Sequence, residues 1–155
     1  MPIFKPDEFL LNILPKKRVL GIDPGTKTLG IAVSNSDLTV ASPIFTIQRK
    51  NLKSDLNQLL EVLKKYDITG IIIGWPLNMD GSIGPRCDSV RDFVKSLLEV
   101  IDIPILLQDE RMSTMAIEKP MIKADLTRKK RNSRTDQLAA CWILQTALDG
   151  LPKRM

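Results

Sequence analysis

The sequence predicts an α/β domain on a mixed five-stranded sheet, with an antiparallel three-strand start, then parallel strands, and helices flanking it. Three observations predict this. The apolar run Val19-Leu20-Gly21-Ile22 is joined by a tight turn to a second, Ile31-Ala32-Val33, as in a β-hairpin. Two later runs, Ile71-Ile72-Ile73 and Ile103-Pro104-Ile105-Leu106-Leu107, are continuously apolar, as strands covered on both faces are. The segments preceding these two runs carry leucine and valine at helical spacing.

Taken in order, residues 1–16 form an N-terminal extension to a single domain spanning 1–155. Its apolar piece, Phe9-Leu10-Leu11-Asn12-Ile13-Leu14, comes after Asp7 and Glu8 and precedes no small-residue cleavage site, so it reads as a flexible or loosely docked segment and not a signal peptide. The hairpin comes next, with the turn Pro24-Gly25-Thr26-Lys27-Thr28-Leu29-Gly30 and Asp23 at the end of its first strand. Alternation over 40–48 predicts a third strand. Leu52, Leu56, Leu59, Leu60 and Leu63 predict an amphipathic helix over 51–66. After the isoleucine strand, Ile83, Cys87, Val90, Val94, Leu97 and Ile101 mark a second helix. The segment 113–119 reads as helical up to Pro120. A last helix over 136–149 has Leu138, Cys141, Leu144 and Leu148 on one side and a small Ala139-Ala140 patch.

Composition narrows the chemistry. The 155 residues are 43% hydrophobic and 26% charged, enough apolar material for one domain with a sizeable core, and no stretch is long enough to span a bilayer. Cys87 and Cys141 lack metal-ligand spacing and read as buried reduced thiols, which makes the cytoplasm the expected compartment. The chain has no histidine, which excludes histidine acid–base chemistry, the serine triad and nearly every zinc enzyme site. A metal here would be held by carboxylates, and oxygen ligands select Mg²⁺ or Mn²⁺. The net charge of +5 is concentrated in Arg128-Lys129-Lys130-Arg131 with Arg134 close behind, a cluster that fits a polyanion and salt-dependent binding. Aromatic residues, at 5%, are too few for a base-stacking platform.

The buried strands should lie parallel, so that their carboxyl ends share one sheet edge, the usual ligand edge of open α/β sheets. Those ends lead into Asp23, into Gly74-Trp75-Pro76-Leu77-Asn78-Met79-Asp80-Gly81 and into Asp109-Glu110-Arg111, and Asp136 could reach the same edge. Carboxylates brought together repel one another, and a divalent cation removes that cost. Two such ions can clamp the attacking and leaving oxygens of a phosphoryl displacement without histidine.

Four strings in order resemble the YqgF family, also called RuvX: Gly21-Ile22-Asp23-Pro24-Gly25-Thr26-Lys27 with Gly30; Gly74 onward with Gly84-Pro85-Arg86; Asp109-Glu110-Arg111-Met112-Ser113-Thr114; and the basic cluster together with Asp136-Gln137-Leu138-Ala139-Ala140. The resemblance implies an RNase H-like fold, similarity to the Holliday-junction resolvase RuvC, and a nuclease that matures the precursor of small-subunit ribosomal RNA. It implies Asp23, Glu110 and Asp136 as the catalytic and metal-holding acids, with Asp109 a second candidate from the same strand end. Thr26, Lys27, Asn78, Arg86, Arg111, Lys129, Lys130 and Arg131 would then contact substrate phosphates or orient the acids. The expected partner is structured or precursor ribosomal RNA, with branched DNA as the alternative, handled by a monomer or weak homodimer. Trp75, Pro120 and Ser133-Arg134-Thr135 depart from the family pattern, and a cap by Thr135 at the start of the last helix would turn Asp136 elsewhere. Two other classes compete. One is nucleotide handling, since Asp-Pro-Gly-Thr-Lys after a strand resembles the phosphate loop of the actin and sugar-kinase superfamily. The other is non-catalytic binding to ribosomal RNA.

Overall fold

The computed structural model describes residues 5–78, 80–109 and 128–152, with the backbone alone for 128–136. Five strands form one sheet in the order β3-β2-β1-β4-β5: β1 is Arg18–Pro24, β2 Thr28–Ser34, β3 Ala41–Gln48, β4 Ile68–Trp75 and β5 Ile105–Asp109. The first three form an antiparallel meander, and β4 and β5 add in parallel to β1. The four helices among the described residues are α1, Pro6–Asn12; α2, Leu52–Lys65; α3, Pro85–Val100; and α4, Arg128–Gly150. The mixed five-stranded sheet, with its antiparallel start and later parallel strands, matches the sequence expectation.

Period-two alternation splits each central strand between two cores. Leu20, Ile22, Ile71, Ile73 and Ile105 face Leu59 and Val62 of α2 and Phe93 and Leu97 of α3. Val19, Ile72 and Leu106 face Ile143, Leu144 and Ala147 of α4. Thus α2 and α3, the crossover helices, cover one face, and α4 covers the other. Asn51 starts α2 by accepting the Ser54 N–H on its side chain at 2.9 Å.

The N-terminal segment is docked more firmly than expected. Within α1, Phe9 is completely buried, and it packs with Ile13 over Gly70 of β4. A Cβ at Gly70 would lie 2.7 Å from the Phe9 ring, so the absent side chain is what seats the helix. Leu11, on the other side of α1, is 85% exposed.

The last helix also differs from its prediction. It already runs at Arg128, so the basic cluster is helical, and Thr135 and Asp136 are interior positions of the helix, not its start. Its buried stripe is Ala139, Ala140, Ile143, Leu144, Ala147 and Leu148, while Leu138 is only half-buried. The segment 113–119, expected to be helical, lies outside the described residues, as does Pro120.

Candidate functional site

Asp23, the penultimate residue of β1, lies on the face covered by α4. It lies two residues beyond Gly21, and alternation puts both on the same side. Gly21 fixes how closely that helix approaches: a Cβ there would sit 2.7 Å from the Leu144 Cβ and 3.2 Å from the Ala140 carbonyl oxygen. Asp23 itself is half-buried.

Polar contacts set the direction of α4. The Gln145 Oε1 accepts the Ala41 N–H at 2.9 Å, its Nε2 donates to the Thr39 carbonyl at 2.9 Å, and Cys141 Sγ donates to the Ala41 carbonyl at 3.3 Å. These residues lie where β3 begins, beside the amino end of β1, since Ala41 pairs with Ser34 and the Ser34 Oγ accepts the Val19 N–H at 2.8 Å. The carboxyl half of α4 therefore lies at the amino end of β1, and the helix runs antiparallel to that strand. Asp136 occupies the backbone position one turn before Ala140, about 6 Å along the axis. Asp23 lies a comparable ~7 Å beyond Gly21 along the strand. Both positions advance to the same edge.

The neighbouring strands complete that edge. The parallel register pairs Ile22 with Ile73 and Ile73 with Leu107, so the next rank is Asp23, Gly74 and Gln108. Gly74 contributes no side chain between the other two, and adjacent strands are about 4.8 Å apart, so Asp23 and Gln108 stand ~10 Å apart across an open strip. Asp109 pairs with Trp75 and is in phase with Ile105 and Leu107, which puts it on the α3 face, opposite Asp23. Glu110 and Arg111 lie outside the described residues.

The other expected contact residues fall into three groups. Thr26 and Lys27 are exposed at the tip of the β1–β2 hairpin, and Arg86 is exposed in the first turn of α3; Thr26, Arg86 and Arg49 line one cleft between them. Asn78 is built into its own loop: its Nδ2 donates to the Ser82 Oγ at 3.0 Å, and its backbone N–H and carbonyl close a turn with Ser82 and Gly81. Gly81, at φ 87°, takes the left-handed conformation that this turn needs. Lys129, Lys130 and Arg131 lie in the first described turn of α4.

The cysteines are free thiols. Burial pushes the Cys141 thiol above its ordinary pKa. Sequence reasoning missed Arg49 and Asp55, which hold the hairpin from behind. The available signal was an acid on the apolar stripe of α2, six residues after an arginine.

An open sheet of this order, with an acid at the carboxyl end of its central strand and a long helix crossing beside it, is RNase H-like. The fold is shared with RuvC from Thermus thermophilus, solved in complex with a Holliday junction substrate, at a TM-score of 0.55 and 18% identity over 86% of this chain and 94% of that one. The chain belongs to the RuvX family, described as Holliday junction resolvase, whose profile matches residues 17–150. It is 43% identical to a Paramagnetospirillum magneticum protein over 96% of each chain, and 46% identical to a Rhizobium meliloti protein over 97% of this chain and 92% of that one. Both relatives carry the name "Putative pre-16S rRNA nuclease".

Proposed function

We propose that the chain is a metal-assisted endonuclease that hydrolyses phosphodiester bonds in structured RNA, acting in the cytoplasm on the 5′ end of the 16S ribosomal RNA precursor. What supports this reading is that α4 packs on Gly21, two residues before Asp23, and runs antiparallel to β1, so that backbone position 136 lies toward the same sheet edge as Asp23.

Among the described residues no three metal-ligating side chains form a cluster, and Asp23 is the described member of the expected set. The set fits a hard cation, since Asp23, Glu110 and Asp136 offer carboxylate oxygens in a chain without histidine. These three would hold Mg²⁺ or Mn²⁺, which when bound offsets phosphate charge and makes a coordinated water more acidic. Of the neighbouring acids after β5, the reading assigns Glu110, because Asp109 takes the face of Trp75. Lys27, Arg86 and Arg111 bind the phosphates beside the scissile bond, while Lys129, Lys130 and Arg131 hold the flanking chain. Thr26 sits within reach of the same backbone. Asn78 acts indirectly, by shaping the loop after β4.

The family's description favours a second reading, cleavage of four-way DNA junctions. A junction is symmetric and calls for a symmetric dimer, which a monomer or weak homodimer of this chain would form on the substrate.

The test is cleavage of a 16S precursor and of a four-way DNA junction by wild type, Asp23→Asn, Glu110→Gln and Asp136→Asn, purified identically. Each variant is expected to lose more than the roughly 10–100-fold that removal of an outer-shell partner costs. Equal activity in all four preparations would sink the proposed function, and preference for the junction would select the second reading. Precursor binding without cleavage by wild type across Mg²⁺ and Mn²⁺ would leave a non-catalytic RNA-binding role.

A further inference from the structure

The hairpin that carries Asp23 is braced from the side opposite α4 by Arg49. The Arg49 backbone N–H donates to the Lys27 carbonyl at 2.9 Å, and its Nη1 donates to the Gly25 carbonyl at 2.9 Å, so one residue grips both ends of the turn. Its Nε donates to Oδ2 of Asp55 at 3.2 Å, and Oδ1 of the same carboxylate accepts the Lys50 N–H at 3.2 Å. The Asp55 side chain is 2% exposed and that of Arg49 26%, and the guanidinium lies 5.5 Å from the centre of the Phe93 ring. The turn, the end of β3 and the helices α2 and α3 therefore meet on one planar cation.

A pair of this kind is a weak stabiliser, because desolvating two charges offsets most of their attraction, and apolar residues of equal volume often do as well. What a guanidinium supplies that those residues do not is donation in two fixed directions at once, which a lysine ammonium does not reproduce. The Gly25 N–H is directed at the carbonyls of both Asp23, at 3.1 Å, and Thr28, at 3.0 Å. Displacing the Gly25 carbonyl thus moves the chain just beyond Asp23.

We propose that Arg49 and Asp55 are a positioning pair, which sets the turn at residues 25–27 and through it the aim of the Asp23 carboxylate toward its divalent cation. The proposal rests on the metal-assisted function proposed for this edge. Both act on Asp23 through the Gly25 carbonyl.

The test uses two variants of the full chain: Arg49→Lys, which keeps the charge and loses the fork, and the double variant Arg49→Met with Asp55→Leu, which replaces both partners by apolar groups and keeps the fold. Amide exchange at Gly25, with Ile72 of β4 as internal reference, and calorimetric titration of metal-free protein with Mn²⁺ are read together. The expected result is at least tenfold faster exchange at Gly25 with Ile72 unchanged, and Mn²⁺ affinity weakened by roughly 10–100-fold in both variants. Wild-type Gly25 protection in either variant would overturn the proposal. So would faster exchange with unchanged Mn²⁺ affinity, which marks a merely structural brace. Wild-type Mn²⁺ binding that Asp23→Asn leaves intact, or no binding at all, would instead overturn the functional reading and this inference with it.

Discussion

At the scale of single residues, the site depends on side chains that are missing as much as on those present. Gly21 has no room for a methyl group, since its Cβ would fall 2.7 Å from that of Leu144. Gly21→Ala is therefore expected to cost about 1–3 kcal/mol through overpacking, read as a lowered urea midpoint at unchanged slope. It should also push α4 off the edge and reduce cleavage more than stability alone explains. The glycine is visible in the sequence, but its reason is not, because the partner lies more than a hundred residues away. The same holds for Asp109, whose face is set only once β5 has a partner, with Trp75 of β4 opposite it. Asp55 stands on the apolar stripe of α2, and burial against Arg49 makes it an anchor.

At the scale of elements, periodicity located β1, β2, β4, α2 and α3 because their apolar residues repeat over whole turns or strands. It missed α1 and the start of α4, for different reasons. The residues 128–135 contain no apolar position, yet arginine and lysine are good helix formers, and a helix already anchored by its stripe from Ala139 to Leu148 extends through them. In α1, seven residues are too few for a stable isolated helix, and burial of one side chain decides the matter. Phe9→Ala should accordingly cost about 3–5 kcal/mol in urea unfolding. Leu11→Ala, at an exposed position of the same helix, should stay within about 0.5 kcal/mol. Equal effects at the two positions would contradict the packing of Phe9 over Gly70.

At the scale of the whole molecule, charge and edge act together. The basic residues 128–131, where the net +5 charge concentrates, lie on the same helix as Asp136, the cluster proposed to hold RNA beside the acid proposed to hold the metal. Neutralising Lys129, Lys130 and Arg131 to glutamine should weaken RNA binding at low salt and reduce the slope of log K against log salt by about 2 to 3, three charges at roughly 0.7–0.9 each. An unchanged slope, measured by titrating a precursor RNA fragment at several salt concentrations, would remove these residues from the interface. No helix among the described residues is long and apolar enough to cross a membrane.

The order of amino acids alone was enough to specify the sheet, its mixed strand directions, the absence of histidine chemistry and the acids that come after each parallel strand. These are local properties: apolar period, turn chemistry and the residue types present. Three-dimensional packing was needed to settle which faces Asp23 and Asp109 take, how far α4 extends and slides along β1, and which charge braces the hairpin from behind. Those are contacts between segments distant in the chain, set by a missing Cβ at Gly21, by Gln145 on the start of β3 and by a buried carboxylate at Asp55. No periodicity within one segment encodes them.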